Sequence, residues 1–159
     1  EILIMSKELN FLVVLDDSEE MFKALKYAAL RSVRTNGRVA ILYTFDTLDF
    51  SHWKAVEDIA EAESRDEAES KIEKYENFVL KFTDRKPKKF IMKGDRIECI
   101  IDFLNSNKFI SNFVLAASSS NTGPGQLITS FTGKHRSKIK VPITIIPSDL
   151  SEEEIDNLS

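Results

Sequence analysis

The chain has 159 residues, of which 42% are apolar and 30% are charged, and its formal net charge is −4. This balance is typical of one globular domain, the acidic net charge disfavours binding to nucleic acid, and no apolar run is long enough to cross a membrane. The single cysteine, Cys99, allows no internal disulfide and the start of the chain lacks the features of a secretion signal, so we expect a cytoplasmic protein.

Apolar runs and helical periodicities alternate along the first half of the chain. Residues 11–15 form a continuous apolar run, which predicts a strand covered on both faces. The next predicted elements are a helix that ends at Asn36 and Gly37, a strand at 39–43 and an amphipathic helix over 54–82. Many acidic residues lie on the second helix, and we interpret them as a solvated face.

The alternation continues to the end of the chain. Capping-box spacing that starts at Ser151 indicates a short terminal helix. Strict alternation of strands and helices predicts a three-layer α/β fold with a mostly parallel sheet. The predicted elements of this half are a strand at 88–92, a helix after Gly94, a strand within 109–116, a helix around 127–131 and a strand at 143–147.

Residues that could carry catalysis or hold a metal ion do not cluster in the sequence. His52 and His135 stand apart from any cysteine or carboxylate set with metal-ligand spacing, and we interpret both as surface or loop residues. Cys99 lies on the apolar side of the third predicted helix, as a buried structural thiol would. Neither a nucleophile elbow nor a Walker-type phosphate loop is present. We therefore expect a protein that is not an enzyme and has no metal site.

Two loops at the carboxyl ends of predicted strands are candidate ligand sites, because ligands of open parallel sheets bind at that edge. One is the hydroxyl-rich segment 117–122, which runs into a Gly-Pro-Gly corner where backbone N–H groups could approach an anion. The other contains Asp16 and Ser18. These residues could contact a base or ribose, or they could simply cap the first helix, and both interpretations stay open.

The order and spacing of these blocks, from Phe11 to Pro147, resemble the universal stress protein family. No block is specific alone, and the correct order of all of them carries the resemblance. The end of the chain and the Gly-Pro-Gly corner resemble an alphaproteobacterial-type subgroup. We expect one domain at 8–148, an extension at 1–7 and an acidic tail at 149–159. The matching blocks are Leu12–Glu19, Ile41–Thr44, Gly94 with the helix after it, Asn112–Ala117 and Val141–Pro147.

The resemblance implies a three-layer α/β/α fold with a five-stranded parallel sheet of order 3-2-1-4-5, like that of adenine nucleotide alpha hydrolases. Family members that bind ATP do so between the first and fourth strands, through the pattern G-x-x-G, nine residues, then G-[ST]. Aligned from the fourth strand, the three glycine positions hold Ala117, Ser120 and Thr129, and Ser130 keeps the hydroxyl. A second alignment, from Gly123 to Gly133, would shorten the last helix by about one turn, so we prefer the first.

The replaced glycines bear on nucleotide binding. If those positions need positive φ, Ser120 and Thr129 would be strained there. The loop could instead follow another path, in which the glycines of the Gly-Pro-Gly corner supply the conformational freedom. By position, the resemblance implies Asp16 and Thr44 for contact with adenine or ribose. It implies Ala117, Ser120 and Ser130 for contact with the phosphates.

Two functions follow from the resemblance. The favoured one is a non-catalytic, dimeric stress-response protein with lost or weakened nucleotide binding. The alternative is a regulator that binds ATP or AMP, with Mg²⁺ and with slow ATP hydrolysis at most, through a rearranged Ser-rich loop. The apolar last strand, Ile143–Ile146, lies at the sheet edge in the implied order and predicts a homodimer. We expect neither a nucleic acid nor a membrane as partner.

Overall fold

The computed structural model describes residues 7–46 and 54–159, and for residues 54–57 it describes the backbone alone. His52 and the first six residues lie outside the described residues. Strands and helices alternate strictly, in the predicted order. The elements are β1 (Asn10–Leu15), α1 (Met21–Arg34), β2 (Arg38–Phe45), α2 (Lys54–Val79), β3 (Lys88–Lys93), α3 (Arg96–Ser106), β4 (Asn112–Ala116), α4 (Gln126–Thr132), β5 (Ile143–Ile146) and α5 (Glu152–Leu158).

All five strands form one parallel sheet in the order β3-β2-β1-β4-β5. This confirms the fold class predicted from the sequence and the strand order implied by the resemblance. β1 pairs along its whole length with β2, and near its start with β4, so it has one parallel neighbour on each side. The order reverses at this point, and the carboxyl ends of β1 and β4 meet there.

The two faces of the sheet bury separate apolar layers. On β1, Val13 and Leu15 pack with residues of α1 and α2, whereas Leu12 and Val14 pack with residues of α3 and α4. Side chains of a strand alternate between the two faces, so a continuous apolar run is what a doubly covered strand requires. Cys99 lies buried in α3, as expected for a structural thiol, and its burial raises the pKa of the thiol.

The first helix begins later than the sequence indicates. α1 starts at Met21, and its N-cap residue Glu20 makes no side-chain hydrogen bond to the helix. Asp16 and Ser18 therefore do not cap α1. The terminal helix α5 does carry the predicted capping box, which joins Ser151 and Glu154. Among the described residues, no helix combines the length and apolar character needed to cross a membrane.

Two isoleucines of opposite exposure test which residues form the apolar core. Ile41 of β2 is fully buried, whereas Ile59 of α2 is 61% exposed. Ile41→Ala should lower the free energy of unfolding by about 2–5 kcal/mol, because it removes buried methyl groups and leaves a cavity. Ile59→Ala should change it by less than about 0.5 kcal/mol. Urea denaturation of both variants gives the comparison, and equal losses would contradict the assignment.

Candidate functional site

The structure places the five candidate nucleotide-binding residues in several neighbouring locations. Asp16 lies in a crevice between the ends of β1 and β4, and Ser130 lines a separate pocket beside the loop after β4. Thr44 lines a third pocket, at the ends of β2 and β3. Ala117 packs against the apolar layer under α3 and α4, and Ser120 is exposed on the loop.

The crevice between β1 and β4 is small. Its volume is about 40 Å³. Asp16 and the loop residue Gly125 both line it, so the first and fourth strands do bring these two loops together. The buried side chain of Met21 lies in the same crevice, with its Sδ accepting a hydrogen bond from the backbone N–H of Asp16 at 3.4 Å. Side chains therefore occupy most of the space between the strand ends.

The charge in this crevice is negative. Asp16 and Glu20 both line it, and its lining includes no lysine or arginine among the residues the structure describes. The Asp16 carboxylate already accepts two hydrogen bonds from Ser18, one from the backbone N–H at 3.0 Å and one from the hydroxyl at 2.6 Å. This acid is thus held inside its own turn, and it would repel a phosphate group placed nearby.

The neighbouring residue Asp17 adopts a left-handed backbone with φ of 61°. The hydroxyl of Tyr75 donates to its carboxylate at 3.3 Å, and Lys71 Nζ lies 3.5 Å from the same group. Burial lowers the pKa of Lys71, but contacts with Glu67, Tyr43 and Asp17 outweigh it and raise the pKa overall. Sequence reasoning missed this cluster because no local spacing connects residue 17 with residues of α2.

The Ser-rich loop uses its own donors. The backbone N–H of Ser118 donates to Pro124 O at 2.9 Å, and that of Ser120 donates to the Ser118 hydroxyl at 3.1 Å. The N–H of Thr122 donates to the Ser120 hydroxyl at 3.2 Å. Three N–H groups that could have faced an anion are therefore bonded within the loop.

Two glycines carry the unusual backbone geometry of this loop. Gly123 and Gly125 have φ of 128° and 111°, values that side-chain-bearing residues rarely adopt. Asp17 and Asn36 are the non-glycine residues with positive φ in the described part of the chain, so Ser120 and Thr129 are free of that strain. The Gly-Pro-Gly corner supplies the conformational freedom, as the second of the two expected paths requires.

A larger pocket lies on the outer side of the loop. Its volume is about 310 Å³ and it opens beside the first turn of α4. Four of its seven lining residues carry a hydroxyl group, and no lysine or arginine is present among its lining residues within 7–46 and 54–159. The lining residues are Ser118, Thr122, Gly123, Gly125, Gln126, Thr129 and Ser130.

Two further expectations concern metal ions and histidine. The described part of the chain holds no group of three or more His, Cys, Asp or Glu side chains that could bind a metal ion. His135 lies in the turns after α4, half-buried, with its ring 6.4 Å from that of Phe131. The structure thus places His135 in a loop, as the sequence predicts.

Comparison with known proteins identifies this arrangement. The sequence model of the universal stress protein family matches residues 9–147. The chain resembles universal stress protein UspA from Lactobacillus plantarum, with a TM-score of 0.66 and 20% identity over 89% of this chain and 99% of that chain. No curated protein matches the sequence.

Two further solved structures have the same fold. A universal stress protein in complex with cAMP has a TM-score of 0.62 and 11% identity, over 91% of this chain and 100% of that one. A protein of the same family from Burkholderia pseudomallei has a TM-score of 0.62 and 16% identity, over 87% and 95% of the respective chains. At these identities the similarity establishes the fold.

The backbone at Asp17 yields a prediction on stability. Asp17→Val should lower the free energy of unfolding by about 1–3 kcal/mol, because a β-branched side chain is strained at positive φ. Asp17→Asn should change it by less than about 1 kcal/mol, since asparagine tolerates this backbone and an exposed ion pair contributes little. Thermal or urea unfolding of the two variants measures the difference, and an Asn variant as unstable as the Val variant would contradict this reading.

Proposed function

Since the chain belongs to the universal stress protein family, we propose that it acts as a non-catalytic stress-response protein whose nucleotide binding at the switch between β1 and β4 is lost or weakened. The observation that carries this proposal is the volume of about 40 Å³ left between the two strand ends. Pockets that bind drug-sized ligands usually measure about 300–1,000 Å³. An adenine nucleotide would have to displace Met21 or the Ser-rich loop to enter.

Electrostatics supports the same proposal. A triphosphate at this crevice would meet the carboxylates of Asp16 and Glu20 without a lining lysine or arginine from the described residues to offset its charge. Backbone N–H groups are the other usual phosphate ligands. Those of Ser118, Ser120 and Thr122 are bonded inside the loop, so binding would also cost three existing hydrogen bonds.

A second candidate function rests on the hydroxyl-lined pocket beside α4. Its volume of about 310 Å³ is large enough for part of a nucleotide, and Ser130 lies in it. The similar protein that was solved with cAMP shows that a member of this fold can hold an adenine nucleotide. Under this alternative the protein is a regulator that binds ATP or AMP together with Mg²⁺.

We also propose that the protein forms a homodimer through β5. The two edge strands of the sheet differ in chemistry. β3 carries Lys88, Lys89 and Lys93, and lysines on an edge oppose pairing with another strand. β5 has the sequence Ile-Thr-Ile-Ile, and its Ile145 is 40% exposed. An apolar edge of this kind is stabilised when a second copy pairs with it.

Calorimetric titration with ATP and with AMP, each with and without Mg²⁺, distinguishes the two nucleotide hypotheses. We expect dissociation constants of about 1 mM or larger, which means a binding free energy of about −4 kcal/mol or a less favourable value. A dissociation constant below about 10 μM would contradict the main proposal. Binding that Ser130→Ala removes and the exposed-site control Ser119→Ala leaves intact would establish the alternative.

The oligomeric state tests the second part of the proposal. Ile145→Lys should convert the dimer to a monomer in sedimentation velocity, because a charged side chain would be placed at the paired edge. Val33→Lys, which changes an exposed apolar residue on α1, should leave the dimer intact. A monomeric wild-type protein at micromolar concentration, or a dimer that survives Ile145→Lys, would contradict pairing through β5.

A further inference from the structure

The acidic helix α5 lies across a basic face of α1. This face consists of Lys23, Lys26 and Arg34, whose spacing places them on one side of the helix. Lys23 donates to the carbonyl of Ser148, just before α5. Arg34 donates to the carbonyl of Asp156 at 2.9 Å. Both ends of the acidic segment are therefore held by cations of α1.

Lys26 is the centre of this contact. Its side chain is only 7% exposed, and its Nζ lies 2.6 Å from Glu152 Oε2 and 3.1 Å from Asp156 Oδ1. Burial lowers the pKa of Lys26, but the hydrogen bonds to the two carboxylates outweigh it and raise the pKa. A lysine as buried as this requires anionic partners, because an unpaired buried charge is strongly unfavourable.

The face also has an apolar requirement. Ile155 of α5 is fully buried, while Leu158, one turn further along, is 62% exposed. The centroid of the Phe82 ring lies 5.6 Å from Lys26 Nζ, which adds a cation–π contact. A segment that fits this face therefore presents one apolar side chain between two carboxylates on the same side of a helix, as Glu152, Ile155 and Asp156 do.

Several features make α5 a replaceable occupant. It has seven residues, and a helix of that length is not stable in water without docking. The Glu152 side chain is 76% exposed, so salt screens its attraction to Lys26. α5 also lies beyond residues 9–147, the part of the chain that the family model matches.

We propose that the basic face of α1 is a docking site for an acidic amphipathic helix of another protein, and that α5 occupies the site as an intramolecular competitor. The tether between β5 and α5 gives α5 a high effective concentration at the face. A partner helix binds only when it offers more carboxylate and apolar contacts than α5, or when α5 is weakened. The occupied state is the one seen in the structure.

Peptide binding to the full-length chain tests the proposal. The probe is a fluorescein-labelled peptide with the sequence of residues 149–159, followed by fluorescence anisotropy at low salt. Ile155→Asp weakens docking of α5, and Leu158→Asp is the matched control because it makes the same change at an exposed position of the same helix. We expect Ile155→Asp to bind the peptide at least about tenfold more tightly than the wild type or the control does.

A second substitution examines the recognition itself. In the Ile155→Asp background, Lys26→Met should abolish peptide binding, since it keeps the length of the side chain and removes its charge. Equal peptide affinity of Ile155→Asp and Leu158→Asp, or binding that survives Lys26→Met, would overturn the proposal. So would a larger assembly of Ile155→Asp that excess peptide disperses, because the occupant would then be a second copy of this chain.

A further variant covers the case in which Ile155→Asp does not fold. Glu152→Gln combined with Asp156→Asn keeps the size and apolar contacts of α5 and removes both carboxylates from Lys26. Peptide affinity should rise in this variant as well. If circular dichroism shows a folded protein and its peptide affinity equals that of the wild type, the proposal is wrong.

Discussion

The position of β1 at the centre of the sheet is the constraint on which the rest of the structure depends. β1 pairs with β2 on one side and with β4 on the other. The first three strands therefore extend the sheet toward one edge, and the last two extend it toward the opposite edge. The loops that follow β1 and β4 therefore meet over one crevice. The crevice is lined by residues of these two loops, of the ends of β1 and β4, and of the first turns of α1 and α4.

In this protein those side chains close the crevice. Met21 fills it from α1, and the Asp16 carboxylate turns back to bond Ser18. Ser118, Ser120 and Thr122 satisfy one another's hydrogen-bonding groups. These contacts leave a volume of about 40 Å³ between the strand ends, and they are the basis of the proposal that nucleotide binding there is lost or weakened.

The residue pattern predicted the fold class, the family resemblance supplied the strand order, and the two together predicted only part of the site. The run Phe11–Leu15 and the other short apolar runs are typical of strands covered on both faces, and strict alternation with helices then limited the topology. The partner of the Asp16 side chain could not be predicted, because aspartate is favoured both at helix caps and in local turns that bond a residue two positions on. The contact of Asp17 with Lys71, and that of Lys26 with Glu152, join distant segments that no local pattern connects.

Closure of the crevice by the loop after β4 is the central claim, and hydrogen exchange at that loop tests it most directly. Exchange of the amides in residues 117–126 can be followed by mass spectrometry with and without millimolar ATP and Mg²⁺. We expect the same exchange rates in both samples, since the loop is already bonded to itself and receives no ligand. Slower exchange of this segment in the presence of ATP would contradict it.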